Sequence, residues 1–144
     1  MWQIQYETLG RLISEEYGTT ATQQRQVFDE RVDIEACWIV ARAGRDCGFL
    51  SHERRTDHLY LGNLVLGRDH QRRGIGSAIL RDVIAEAQSV DIPVRLQVLK
   101  GNPARRFYEL HGFVLDGETD HHFLMIRPHC HGHAYGTACR MRPP

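Results

Sequence analysis

The sequence predicts an α/β fold built on a strand, helix, strand unit, and three observations carry that prediction. The run from His58 to Leu66 is rich in β-forming residues and empties through a short basic turn into a helix opening at Ile75. Asp91-Ile92-Pro93 breaks that helix, and Val94-Arg95-Leu96-Gln97-Val98 then alternates apolar and polar residues as a second strand. A helix between two strands at these lengths is a crossover connection, which is right-handed and leaves the strands parallel. At 144 residues the chain is one domain, large enough to bury a core without metal or disulfide staples.

The remaining elements follow in order. Residues 5 to 17 place Leu9, Leu12, Ile13 and Tyr17 at helical spacing, and Gly18 can take the left-handed conformation that stops a helix. Thr20-Ala21-Thr22-Gln23 has capping-box spacing and starts a second helix, which Val27, Phe28, Arg31 and Val32 carry to about Asp33. Cys37 to Ala43 and Cys47 to His52 flank the turn Gly44-Arg45-Asp46 as a β-hairpin. From Ile75 onward, Ile79, Leu80, Val83, Ile84 and Ala87 make one apolar helical face, while Arg81, Asp82, Glu86 and Gln88 fall outside it. A short helix from Pro103 to His111 fits between an Asn102 cap and Gly112, with Phe107 and Leu110 packed inward. Phe113 to Leu115 and Phe123 to Arg127 close the body as a hairpin around Gly117-Glu118-Thr119-Asp120.

Composition narrows the function classes. A formal net charge of zero gives no general attraction to nucleic acid, so no nucleic-acid partner is expected. Lys100 is the only lysine and hence the single candidate for a lysine nucleophile. Cys37, Cys47, Cys130 and Cys139 form no tight C-x-x-C pair, which suits a reducing compartment. No apolar run approaches the roughly 20 residues of a membrane helix, and Met-Trp-Gln-Ile-Gln does not open like a signal peptide. A cytoplasmic protein without a membrane partner is therefore expected.

Chemistry concentrates in two stretches. In Gln71-Arg72-Arg73-Gly74-Ile75-Gly76-Ser77, two glycines open the helix directly after a strand. Glycine lets a backbone approach a ligand closely, and the free N–H groups and positive dipole of the helix start favour a phosphate. Arg68, Arg72 and Arg73 add charge on the same side. Ile79 stands where a dinucleotide fingerprint needs its third glycine, and the lysine of a P-loop is missing. The second stretch is Asn102-Pro103-Ala104-Arg105-Arg106-Phe107-Tyr108-Glu109-Leu110-His111-Gly112-Phe113. Taken alone it reads as a capped helix with inward aromatics and a terminating glycine.

Together, Gln-x-x-Gly-x-Gly and Asn-x-x-x-x-x-Tyr-Glu-x-x-Gly-Phe some 30 residues later resemble the GNAT superfamily of acyl-CoA-dependent N-acyltransferases, over roughly residues 37 to 128. The resemblance implies a GNAT-like mixed, strongly twisted central sheet with helices on both faces. In it the parallel strands 59 to 66 and 94 to 99 splay apart around acetyl-CoA. It further implies that the backbone of Leu64, Val65 and Leu66 pairs with the pantetheine arm, and that Gln71, Arg72, Arg73, Gly74, Ile75, Gly76 and Ser77 hold the pyrophosphate. Asn102 would bond the pantetheine, and Tyr108 would protonate the departing thiolate as a general acid. A strand N–H near Leu64 to Leu66 would polarise the developing oxyanion. Substrate readers in this fold come from the first two helices and the last hairpin, which nominates Tyr17, Gln24, Phe28 and His122.

Three departures from the pattern matter. Gly62 and Asn63 stand where many relatives carry a carboxylate to take the amine proton, so a water relay, His58 or Glu53 is left as the base. Arg68 replaces a common proline. Only Met1 to Gln5 is left for the strand that usually opens the fold; either Trp2-Gln3-Ile4 forms a stub of it or the sheet has one strand fewer.

The implied activity is transfer of an acetyl group from acetyl-CoA to a primary amine of a small molecule or amino-acid-like acceptor, by direct attack. The alternatives are a peptide or protein amine, and a non-catalytic acetyl-CoA-binding module. Residues 1–128 form the expected domain, as a monomer or homodimer. His129-Cys130-His131-Gly132-His133 and Cys139 match no standard ligand spacing, so 129–144 is expected to be a flexible tail and no metal is expected.

Overall fold

The computed structural model describes residues 1–129. Two helices, α1 (Trp2–Tyr17) and α2 (Ala21–Arg31), precede three strands, β1 (Cys37–Arg42), β2 (Arg45–Arg54) and β3 (Leu59–Leu66). A 3₁₀ turn at Arg68–His70 leads to α3 (Ile75–Ser89), β4 (Val94–Leu99), α4 (Ala104–Leu110), β5 (Val114–Glu118) and β6 (His122–Arg127). The six strands form one sheet in the order β1-β2-β3-β4-β6-β5. Only β3 and β4 run parallel, joined by α3, as the strand, helix, strand pattern predicts. No helix among the described residues is long and apolar enough to cross a membrane.

Each face of the sheet carries its own core. On one, Leu59, Leu61, Val94, Leu96, Val98 and Met125 pack against Leu80, Val83, Ile84 and Ala87 of α3 and Tyr108 of α4. These α3 residues belong to the apolar face read from the sequence. On the other, Phe49 and Val65 meet Phe28 of α2, with Trp2, Ile4 and Leu9 of α1 packed around them. Helices thus cover both faces.

Several boundaries differ from the sequence reading. Trp2-Gln3-Ile4 is helical, not a strand stub. Helical spacing lets Trp2 stack on Tyr6 with ring centroids 5.2 Å apart and meet Phe28 edge-on at 5.6 Å. The cap at Thr20 is a full capping box, but α2 stops at Arg31. In α4, Leu110 is 72% exposed, so only Phe107 and Tyr108 of that helix's large apolar residues turn inward. Gly117 and Glu118 lie inside β5, not in the turn; a bulge between Leu115 and Gly117 lets the strand continue. The cluster Cys130, His131, His133 and Cys139 lies outside the described residues.

A second bulge bears on the site. Ser51 pairs with Asn63 but His52 pairs with Leu61, so Gly62 is the extra residue of β3. It shifts the alternation: Leu59, Leu61 and Leu64 face the α3 core, whereas Val65 faces α1 and α2.

Candidate active site

The parallel pair is short. Leu59, Tyr60 and Leu61 pair with Val94, Arg95 and Leu96, and there the ladder ends, although β3 runs on to Leu66 and β4 to Leu99. Each strand keeps its outer partner: Leu64, Val65 and Leu66 remain opposite Leu50, Phe49 and Gly48 of β2, and Gln97 to Leu99 opposite β6. Between them the sheet opens into a wedge whose β3 wall has no strand beside it. Backbone N–H and C=O groups on such an edge are ready to pair with an extended ligand.

At the wide end of the wedge stands the start of α3. Gly67 N–H bonds Cys47 O at 2.8 Å and Gln71 Nε2 donates to Leu66 O at 2.9 Å, which fixes the turn. That bond occupies the Leu66 carbonyl, and Val65 O points toward Gly48 of β2, so Leu64 is the freer partner on this edge. Arg72 (φ 58) and Gly74 (φ 79) both adopt left-handed backbone, which is strained for arginine and open to glycine. The first helical bond runs from Ala78 N to Gly74 O at 3.0 Å. The N–H groups of Ile75, Gly76 and Ser77 therefore lie in the first turn, where no intrahelical acceptor exists. A Cβ added at Gly74 would meet nothing within 4 Å, so the cradle is open. A cleft of about 400 Å³ lined by Arg42, Arg45, His70 and Arg73 adds positive charge beside it.

Gly76 is where the pieces join. A Cβ on it would stand 3.4 Å from Phe107 Cζ and 3.5 Å from Leu66 Cδ1, so the ends of β3, α3 and α4 meet at one point. Just before α4, Asn102 Oδ1 accepts from Ala104 N at 2.9 Å, which leaves the amide NH2 as the donor for a ligand. Tyr108 is 7% exposed between Phe107 and Phe113, and burial pushes its phenol up to about 12. It is a proton-bearing group at any physiological pH. These features fit coenzyme A: an unpaired strand edge for an amide-rich arm, an open anion cradle and a neutral phenol.

On the other face, α1 straddles the wedge. Leu9 packs against the Phe49 and Val65 core on the β3 side, and the far end of the helix reaches the start of β6. There Glu16 Oε1 pairs with His121 Nδ1 at 2.9 Å, and the Tyr17 ring lies tilted against His121 with centroids 4.3 Å apart, its hydroxyl 3.4 Å from His122 Nδ1. Burial lowers the His122 pKa, with His121 adding to the effect, and burial raises that of Tyr17. Tyr17 and His122 are thus brought together at one wall.

Gln24 and Phe28 are not part of that wall. Gln24 is buried, its Nε2 donating to Gly10 O, Ser14 Oγ and Thr19 O, and Phe28 fills the core beneath α1 and α2. Glu53 and His58 sit at the closed end of the sheet: Glu53 lies opposite Tyr60 and bonds Arg55, and His58 bonds Asp57. Asn63 and its partner Ser51, by contrast, border the point where the strands part, with Asn63 Nδ2 donating to Ser51 Oγ at 2.8 Å. The bulge at Gly62 that places them there was missed from sequence, although a glycine inside a strand was its signal. Among the described residues no group of three His, Cys, Asp or Glu side chains is arranged to hold a metal.

The family model described as acetyltransferase (GNAT) domain matches residues 33–115, which include the wedge, the cradle and Tyr108. The chain belongs to the GNAT acetyltransferase family. Solved structures share the fold of this acetyltransferase at low identity. The PaiA N-acetyltransferase of Thermoplasma acidophilum, in complex with coenzyme A, superposes with a TM-score of 0.72 at 16% identity, covering 89% of this chain and 90% of that one. PH1933 of Pyrococcus horikoshii gives 0.66 at 17%, covering 90% and 88%. Ard1 of Thermoplasma volcanium gives 0.60 at 21%, covering 87% and 88%. The acetyltransferase has no match among curated proteins.

Proposed function

We propose that this acetyltransferase moves the acetyl group of acetyl-CoA to the primary amine of a small, amino-acid-like acceptor by direct attack. The observation that carries the reading is the parting of β3 from β4 past Leu61, with an anion cradle at the wide end and a buried phenol on the helix packed against that cradle. Bound there, acetyl-CoA supplies an activated thioester. The β3 edge at Leu64 would pair with the pantetheine, the N–H groups of Ile75 to Ser77 would take the pyrophosphate with charge from Arg72 and Arg73, and Asn102 would donate its amide NH2 to the arm. A β3 N–H at the wedge would stabilise the oxyanion.

The bond that forms joins the amine nitrogen to the acyl carbon, and the carbon–sulfur bond breaks. The amine gives up a proton and the thiolate gains one. Tyr108 is the donor on the sulfur side: burial holds it protonated, and the same burial raises the proton affinity of a thiolate beside it. Tyr17 and His122 would contact the acceptor.

The test is calorimetric titration of acetyl-CoA followed by thiol release across a panel of amines. Micromolar binding with release on small α-amino or alkyl amines supports the reading. No binding at high micromolar acetyl-CoA sinks it, and release only with peptides moves the acceptor to a peptide or protein amine.

A further inference from the structure

An attacking amine must present a lone pair, so at the wedge either an enzyme group removes its proton or the amine arrives neutral. The group nearest the vertex decides which. Asn63 is the first residue past the bulge at Gly62, where β4 has already left β3. It shares a cross-strand row with Ser51 on β2 and Cys37 on β1. Its amide is oriented: Nδ2 donates to Ser51 Oγ at 2.8 Å, which turns Oδ1 the other way as an acceptor. An amide oxygen accepts a hydrogen bond from an amine but takes no proton at neutral pH.

The charged groups around this point are mostly occupied. On α1, Glu16 is held by His121; on β2, Glu53 by Arg55; before β3, Asp57 by His58; on β5, Asp116 by Arg95 and Glu118 by Lys100. On β1, burial raises the Cys37 thiol, so it is protonated at neutral pH. On β6, His122 bonds Tyr17.

We propose that Asn63 Oδ1 holds the acceptor amine in its already neutral form, and that the acceptor is therefore an α-amino group rather than an alkyl or lysine amine. This rests on the acyl-transfer reading above. A free α-amino group titrates near 7.7–8.0 and a lysine amine near 10.4, so at neutral pH the neutral fraction differs by about 300-fold. For amines that react equally fast once bound, a site that binds only the neutral form passes that ratio on to kcat/KM. An amino-acid amide and a peptide N-terminus present the same group.

The experiment measures kcat/KM against pH with the intact protein for three probes: alaninamide, a tripeptide with a free N-terminus, and butylamine. The expected result is a rise with pH whose inflection follows each acceptor's own pKa, and a preference of at least 100-fold at pH 7 for one or both α-amino probes over butylamine. The first two probes separate a free amino-acid derivative from a peptide. In dead-end complexes with coenzyme A, alaninamide binding below its pKa releases close to one proton, read from the dependence of the calorimetric heat on buffer. Asn63→Glu installs a carboxylate and narrows the α-amino preference at least tenfold. Asn63→Ala raises KM for the amine while coenzyme A affinity stays within twofold.

An inflection at one pH for all acceptors overturns the inference, and its loss in His122→Gln would move the base to His122. Transfer to butylamine as fast as to alaninamide also overturns it, as does acetyl-CoA binding with no transfer to either α-amino probe. Failure to bind acetyl-CoA at all overturns the acyl-transfer reading itself.

Discussion

Phe107 Cζ stands 3.4 Å from the position a Cβ on Gly76 would occupy, so α3 and α4 touch at the residue that opens the anion cradle. One methyl group just fits; a larger side chain does not. Gly76→Ala is expected to change unfolding free energy by less than about 1 kcal/mol, and Gly76→Leu to cost about 2 kcal/mol by forcing the helices apart. Gly74→Val differs in kind, since space is free there but φ is 79°. It should cost about 2 kcal/mol in backbone strain and lower coenzyme A affinity at least tenfold, while the fold survives. Thermal unfolding and calorimetric titration of the three variants separate these effects.

Tyr108→Phe removes the phenol and keeps the ring packed between Phe107 and Phe113. Turnover should fall about 10- to 100-fold with coenzyme A affinity nearly unchanged, and an unaltered rate at every pH would rule out Tyr108 as the acid.

The same residue has a signature in stability. The folded phenol keeps its proton to about pH 12, whereas an unfolded tyrosine ionises near 10.0. Its contribution is complete below pH 10 and is lost as pH rises from 10 to 12, since the unfolded state then binds fewer protons than the folded one. Two units correspond to about 3 kcal/mol. Alkaline unfolding of the wild type should show this decline, and Tyr108→Phe should lack it.

Gln24 ties α1 to α2 through Gly10 O, Ser14 Oγ and Thr19 O, while its own Oε1 is buried without a hydrogen bond. Gln24→Ala should destabilise the protein by about 2 kcal/mol. It should raise the acceptor KM, because α1 spans the wedge, and leave coenzyme A binding intact.

Gly48 has no room for a side chain, since a Cβ there would overlap Val65 O. Gly48→Ala must displace β3 or β2, and a loss of about 3 kcal/mol or more is expected together with weaker coenzyme A binding. Chemical denaturation and titration check both.

The strand, helix, strand unit was legible because each element has its own period and its own stop: alternation in β4, a 3.6-residue face in α3, Pro93 between them. The two glycines at the start of α3 were legible as a close approach of backbone, and Gly76 makes one against Phe107 and Leu66. What the sequence hid depends on contacts distant along the chain. Gln24 looks like any surface glutamine until α1 folds over it. Trp2 resembles a strand residue until Tyr6 and Phe28 meet its ring. Leu110 follows the helical apolar pattern, yet α4 is too short for the sheet to cover its far side. The length of the wedge was equally hidden, because it depends on where β3 and β4 cease to pair.

The extra residue in β3 makes that strand two half-strands in opposite phase. Its first half writes its apolar residues on odd positions toward α3, and its second half writes them on even ones. Loss of the Gly62 codon would therefore abolish the bulge and restore a single phase, leaving Leu64 toward α3 and Val65 toward α1 and α2. A one-residue deletion beyond the bulge, within 64–66, would by contrast turn the residues after it to the opposite faces. This strand should thus accept loss of its extra residue far more readily than loss of any residue after it.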